Sequence, residues 1–497
     1  MKNVLYLVIV YMTTFNLVNA QNLDDVFRLN QFYHNGSARF NSMGGAFGAL
    51  GGDLSAISIN PAGSVVFIDS EIGFTFDLSE NSILNNFNNT ISKSNSNSFS
   101  INQLGAVLVY GNRESKLSLG YNFHRLNDFN MSFNLTGTNN TGVDKYFLYY
   151  SDGIPYEDLI IYDGETVQSV YKLLGDEYGF ADQQAFLGYQ SFIINPDNNN
   201  SYLSNAIYSN VSQFIDTSRK GFHNKHSFNL GTTINENFLV GLNINLHEFI
   251  YEEIKTLDEF DYDNDSPIRR ILFYDDLYSN GVGTSFQLGT LVNLSRLRIG
   301  ISYNSPTWFN IEDETVQSIK TDINIGNEIV EYEVDPKTIN YYGNYKIKIP
   351  SKTTFSAAYI FGSRGLISFD YEYSKPHNSK FDDNDGDDPY LFRLNGAILS
   401  GFSQSSSSLR LGGEYRIKNY SLRVGTFNYD RILDSKKNKI NGLSFGIGLN
   451  LGYFDIDIGY TKYDNYYTNS LFSNGLKTKY SIENSNNSIY SSITIKL

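Results

Sequence analysis

Three groups of residues in this 497-residue chain have types and spacing that chemistry can use. The first is Gly442-Leu443-Ser444-Phe445-Gly446, which fits G-x-S-x-G, the nucleophile elbow of hydrolases. That elbow needs a strand, a sharp turn and a helix to expose its serine. Here the motif lies inside an alternating run with Ser444 on the small-residue face, so no catalytic residue is expected. The second group is two acidic runs, Asp261-Tyr262-Asp263-Asn264-Asp265 and Asp382-Asp383-Asn384-Asp385-Gly386-Asp387-Asp388. Alternate carboxylates can converge on a hard cation, but neither run carries the glutamate that closes a calcium loop, and Ser266 stands where the first wants glycine. Both read as solvated loop tips, and no metal is expected. The third is His223 and His226 flanking Asn224-Lys225, with His34, His124, His247 and His377 scattered. No pair has helical i, i+4 spacing, so neither haem nor any other cofactor is expected.

The stretch 36–63, GSARFNSMGGAFGALGGDLSAISINPAG, is different in kind. A phosphate loop is the first reading to test. It fails, because no Lys-Ser/Thr pair follows and no G-x-G-x-x-G runs through Gly44, Gly45, Gly48, Gly51 and Gly52. Glycines this dense mark backbone that packs closely or takes positive φ. A compact plug is the expectation.

From Val65 onward the chain alternates with a period of two, the signature of strands. In the segment 365–374, Ile367, Phe369, Tyr371 and Tyr373 share one face while Ser368, Asp370 and Glu372 share the other. About fourteen such segments follow one another, from 65–78 to 488–497, an even number as bacterial barrels require. Every second join is tight, at 111–115, 235–237, 294–296, 361–364, 418–420 and 452–453, and the joins between are long and polar. Short turns on one side and long loops on the other is the outer-membrane barrel pattern, which a soluble sandwich has no reason to adopt. The Asn/Ser-rich stretch 81–102 reads as a hydrated loop. The insertion near 131–221 is too long to lack structure. Within it 165–174 puts Val167, Val170, Tyr171 and Leu174 on one helical face, with Asp163 as N-cap and Gly175 as stop, and 181–189 offers a second helix with Phe186.

Composition agrees. Aromatics make up 15% with a single Trp, as girdles of Tyr and Phe at two membrane interfaces would require. A net charge of −15 excludes a nucleic acid held by basic patches. Zero cysteines exclude a stapled secreted domain. No stretch past the N-terminus is long and apolar enough for a spanning helix. Lys2, the apolar run 4–18 and Val18-Asn19-Ala20 read as a signal peptide over residues 1–20. The expected domains are then that signal, a hatch over 21–64 and a barrel over 65–497.

Ala38-Arg39, Met43-Gly44-Gly45-Ala46-Phe47, Asp53 and Asn60-Pro61-Ala62-Gly63 resemble the N-terminal hatch of the FadL/TodX family of outer-membrane fatty-acid and hydrocarbon transporters. The resemblance implies an all-β fold, a transmembrane antiparallel β-barrel of about 14 strands in the outer membrane of a Gram-negative bacterium. It implies no enzyme, but passive uptake of hydrophobic small molecules such as long-chain fatty acids. Capture among the outer loops, hatch rearrangement and lateral release into outer-membrane lipid are the implied steps. Gly44, Gly45, Asn60, Pro61, Ala62 and Gly63 would be the stiff hatch motif. The resemblance carries no pocket residues over, and the apolar faces of the two helices in the insertion make Val167, Val170, Tyr171, Leu174 and Phe186 the expected capture surface. The alternative is a barrel scaffold that binds secreted protein cargo in an outer-membrane secretion system.

Overall fold

The computed structural model describes residues 23–30, 35–112, 115–198, 201–326, 328–382, 389–433 and 439–497, and the expected signal peptide lies outside them. Fourteen antiparallel strands close on themselves. They are β1 (Glu71–Phe87), β2 (Thr90–Gly111), β3 (Lys116–Asp128, continued by Met131–Asn139), β4 (Val211–Asn235), β5 (Phe238–Phe260), β6 (Ile268–Leu294) and β7 (Leu297–Asn304, continued by Thr307–Ile325). The second half is β8 (Asn340–Ile349, continued by Lys352–Ile360), β9 (Gly365–Ser374, continued by Lys380–Asp382), β10 (Ser406–Ile417), β11 (Tyr420–Tyr429), β12 (Ile440–Asn450), β13 (Phe454–Ser470) and β14 (Lys479–Lys496). Closure pairs β14 with β1, from Glu71 opposite Lys496 to Phe87 opposite Tyr480. The alternation sorts the two faces. On β12, Leu443, Phe445 and Ile447 stand outward at 56%, 52% and 57% exposure, while Ser444 is fully buried in the lumen. An outward belt of this kind is what a bilayer covers.

Several strands run well past the roughly ten residues a membrane crossing needs. The stretch 81–102 is therefore not a loop. It forms the upper half of the β1–β2 hairpin, turned at Asn88 and Asn89 with φ of 46° and 66°. Asparagine tolerates these angles, and two positive φ values match the twist of a two-residue hairpin. At the other end of β1 the strand starts at Glu71 rather than at residue 65, because Asn60 and Pro61 open a 3-10 turn over Pro61–Val66.

Residues 131–139 and 211–221 belong to the wall, so the insertion proper is shorter than the sequence suggests. It builds a cap from α3 (Asp144–Ser151), α4 (Val167–Glu177), α5 (Phe180–Gln190) and a hairpin of Ile194–Asn198 with Ser201–Ser204. Thr166, not Asp163, caps α4, in a reciprocal box with Ser169. The helix also continues through Gly175, which is there for close approach. A β-carbon on it would meet the Gln183 amide of α5 at 2.2 Å.

One carboxyl pins the cap to the wall. Glu259, at the far end of β5 above the apolar belt, accepts the Val143 amide at the start of α3 (2.9 Å) and Gln213 Nε2 (2.6 Å), with the Tyr262 hydroxyl beside them. Burial pushes its carboxyl up to about 7, and neighbouring Asp144 adds to the rise. A folded-state value above the unfolded one means the native cap holds the extra proton. Stability is therefore present at low pH and falls as pH rises from about 4.5 through 7. Hydrogen exchange of the α3 amides should quicken across that window. Glu259→Gln should flatten the dependence, and a wild-type exchange rate independent of pH between 5 and 8, after correction for intrinsic chemistry, would refute it.

Candidate functional site: the seated hatch and the cavity above it

Residues 35–66 coil inside the barrel with almost every side chain buried. Three polar side chains begin its short turns. Ser37 caps α2 (Ala38–Ser42), Asp53 caps the 3-10 turn Leu54–Ser58, and Asn60 caps Pro61–Val66. Gly44 and Gly45 turn the chain at φ of 63° and 75°, which a side chain would resist. Asn60 does most. Its Oδ1 accepts the Ala62 amide at 3.1 Å, and its Nδ2 donates to Gly48 O at 2.8 Å and to Thr290 O of β6 at 2.9 Å. Gly63 O takes the Gly52 amide, so the two halves of the motif close on each other.

The wall supplies the matching partners. Asp370 of β9 accepts the amides of Phe47 (3.0 Å) and Gly48 (3.1 Å). Ser444, the serine of the G-x-S-x-G match, accepts the Gly44 amide at 3.1 Å and so serves the hatch. Gln287 and Ser302 donate to Ile59 O, Asn243 to Ile57 O and Asn229 to Pro61 O. Arg39 of the hatch reaches Glu414 at 2.9 Å, and Glu414 in turn holds Arg423, which pairs with Asp457. Alternation could place these side chains in the lumen, but their partners lie hundreds of residues away.

Directly above the hatch lies a cavity. Ser58 and Ile59 line its hatch side, with Lys225, His223, His247 and Glu372 from the wall and Leu29 from α1 (Leu23–Asn30). His223 Nε2 lies 3.0 Å from His247 Nδ1, whose ring continues to Ser285 Oγ at 3.1 Å. His226 points the other way, to the Tyr121 hydroxyl. Lys225 is buried, its Nζ donates to Ser58 O at 3.5 Å, and the charges of Lys352 and Glu372 lie around it. Lys352 is paired with Glu372 at 3.5 Å. The helix α1 lies in an apolar groove, with Val26 and Leu29 against Phe249, Phe309, Ile347 and Phe381. Thus the cavity has a cationic corner next to an apolar wall.

Beside it the wall is interrupted three times. β7 breaks at Ser305-Pro306, β8 at Pro350-Ser351, and β9 leaves the ladder for the turn Pro376–Asn378. The register puts all three at one height, since Asn304 opposes Lys352, and Lys352 opposes Ser374. Proline has no N–H for the ladder, so the pairing is interrupted at these points.

Of the sequence-expected residues, Gly44, Gly45, Asn60, Pro61, Ala62 and Gly63 come together in the seated hatch. Val167, Val170, Tyr171, Leu174 and Phe186 do not reach the cavity. Val170, Tyr171, Leu174 and Phe186 form the core of the cap with Phe147 and Phe273, and Val167 packs against them, so none presents an open capture face. The acidic run 261–265 bonds to neighbouring serines, and residues 383–388 of the other run lie outside the described residues. Among the described residues no three His, Asp or Glu side chains gather as metal ligands.

No protein-family profile and no curated protein matches the chain. Solved structures do. It is similar to the Pseudomonas putida toluene transporter TodX (11% identity, 93% of this chain and 99% of that one, TM-score 0.53). A Pseudomonas aeruginosa FadL homologue matches at 10% identity over 94% and 99%, with a TM-score of 0.55. The Ralstonia pickettii toluene transporter TbuX matches at 12% over 93% and 99%, with a TM-score of 0.51. The chain thus shares its fold with these proteins.

Proposed function

We propose that this protein is an outer-membrane channel through which hydrophobic small molecules carrying one acidic group, such as long-chain fatty acids, enter by passive diffusion. The observation that carries the reading is the cavity, which combines Lys225 with an apolar side, a hatch for a floor and the interrupted wall alongside. A carboxylate on Lys225 would complete a charge-assisted contact that the resting protein leaves to a carbonyl. The alkyl tail would replace the contacts made by Leu29. Transfer of such a tail out of water yields roughly 0.8 kcal/mol per CH₂, so no energy source is needed. Hatch rearrangement then lets the molecule pass sideways between β7, β8 and β9 into lipid. The structural neighbours named as toluene transporters support a hydrophobic cargo.

Liposomes containing the purified protein test this. Wild type should admit a fluorescent long-chain fatty acid, and Lys225→Met should weaken its half-saturation about 10- to 100-fold, the worth of one hydrogen bond to a charged group. The matching alcohol should be unaffected by the substitution. Equal effects on acid and alcohol would remove the acidic group from the reading. No uptake of either, with secreted proteins copurifying in fixed ratio, would move the function to a cargo scaffold.

A further inference from the structure

The outer part of β9 is paired on one side only among the described residues. Lys380–Asp382 ladders with β8, Lys346 opposite Asp382, but β10 begins at Ser406, which opposes Ser374. Above that height β9 and β10 share no ladder among the described residues. The breach is covered by α6 (Pro389–Gly401), and one side chain does what a strand would do. Asn395 Oδ1 accepts the Phe381 amide at 2.8 Å while its Nδ2 donates to Phe381 O at 3.0 Å. Short backbone ties flank it, His377 to Ser403 O at 3.3 Å and Ser403 to Ile432 O at 2.7 Å.

This helix is apolar on two faces. Leu391 and Ile398, seven residues apart, pack inward on the cluster that contains Val26, Leu29 and Phe381. Phe392 and Leu399, again seven apart, stand outward at 80% and 64% exposure. The wall strands below continue that surface with Phe369 on β9 and Leu409 and Leu411 on β10, all exposed to the bilayer side. A helix that only shielded a strand edge would not expose two large apolar side chains beside its polar face of Arg393 and Ser400.

We propose that α6 is a side door through which a single-chain amphiphile enters the lumen from the outer face of the membrane without crossing the cap. The molecule settles on Phe392 and Leu399, α6 swings away from Phe381, and the tail slides between β9 and β10 toward Leu29 and the cavity. Along that path it meets apolar side chains on both faces of the helix. Parting this seam breaks the Asn395 amide pair and the His377–Ser403 tie, whereas the Ser403–Ile432 tie stays on the β10–β11 side and parting any laddered pair breaks a row of bonds. The inference rests on the transport reading above.

The chain has no cysteine, so a designed pair is the sole disulfide. In liposomes, His377→Cys with Ser403→Cys should transport the fluorescent fatty acid normally when reduced. Once oxidised, with bond formation checked by mass, it should be slowed at least 10-fold. Undiminished uptake by the fully oxidised protein would overturn the side door. A second variant, Asn395→Ala, frees Phe381 without touching cap or hatch and should raise the uptake rate several-fold, and an unchanged rate would also count against the door. Failure of the wild type itself to admit the probe would instead overturn the transport reading.

Discussion

Asp370→Ala should unseat the hatch and open the barrel to ions. The carboxylate is fully buried, accepts two hatch amides and faces Arg410 at 3.4 Å. Arg410 is itself fully buried, and its other end meets Glu372, which also holds Lys352. Alanine would leave two cations on one carboxylate and strand the amides of Phe47 and Gly48. Removing one partner of a buried pair costs about 3–5 kcal/mol, and each stranded donor adds about 1–3. That sum is comparable with the whole stability of a typical domain, so a plug joined to the wall only through residues 67–70 before β1 should leave its seat. Planar-bilayer conductance should rise at least tenfold, and proteases should reach residues near Phe47. Asp370→Asn, which keeps shape and one acceptor, should do less. Asp370→Ala combined with Arg410→Met should recover part of the loss, because replacing both partners removes the unpaired charge. A closed, protease-resistant Asp370→Ala barrel would show that the ion cluster does not hold the hatch.

Much of this architecture was legible because a membrane wall imposes one rule on every strand. The alternation of Ile367, Phe369 and Tyr371 with Ser368 and Asp370 is enough to place Asp370 in the lumen. What it bonds to was not legible, since Phe47 and Gly48 lie more than three hundred residues upstream. The rule fades above the bilayer. There the Ser/Asn-rich run keeps only Ile83 and Phe87 for the core beneath the cap, loses its apolar period, and a hairpin reads as a loop. Cap helices showed in the spacing of Val167, Val170, Tyr171 and Leu174, but the same spacing cannot tell a core from a capture surface. α6 was hidden by its neighbours instead, since it lies between the acidic run 382–388 and the Ser-rich run 403–408, and the whole stretch reads as one long polar loop. The interrupted wall is a property of register. Pro306, Pro350 and Pro376 mean nothing together until pairing puts them at one height.

Register also explains a close fit of the hatch on the wall and the drastic substitution it predicts. Gly231 of β4 opposes Gly241 of β5, which opposes Gly289 of β6, so three lumen-facing glycines form one row. The Asn60-Pro61-Ala62 turn sits on that row. A β-carbon on Gly241 would stand 2.3 Å from the Pro61 carbonyl carbon and 2.5 Å from the Ala62 nitrogen. These are backbone atoms, held in place by the Asn60 cap and by Asn229 on Pro61 O, so they have no rotamer to yield. The strand has no objection to a side chain, and valine is a good strand former. Gly241→Val should therefore fold and insert as a barrel, shown by heat-modifiable migration in a detergent gel, yet fail to seat its hatch. Overpacking a core usually costs about 1–3 kcal/mol because neighbours shift, and here the only neighbour that can shift is the hatch as a body. Conductance should rise as in Asp370→Ala, with no change at Asp370 itself. Gly343→Val on β8, where a new β-carbon meets nothing within 4 Å, should leave the pore closed. If Gly241→Val also stays closed, the turn has room to move within its seat, and the hatch rearrangement proposed above would need only a local shift of Asn60–Pro61–Ala62 with the rest of the plug still in place.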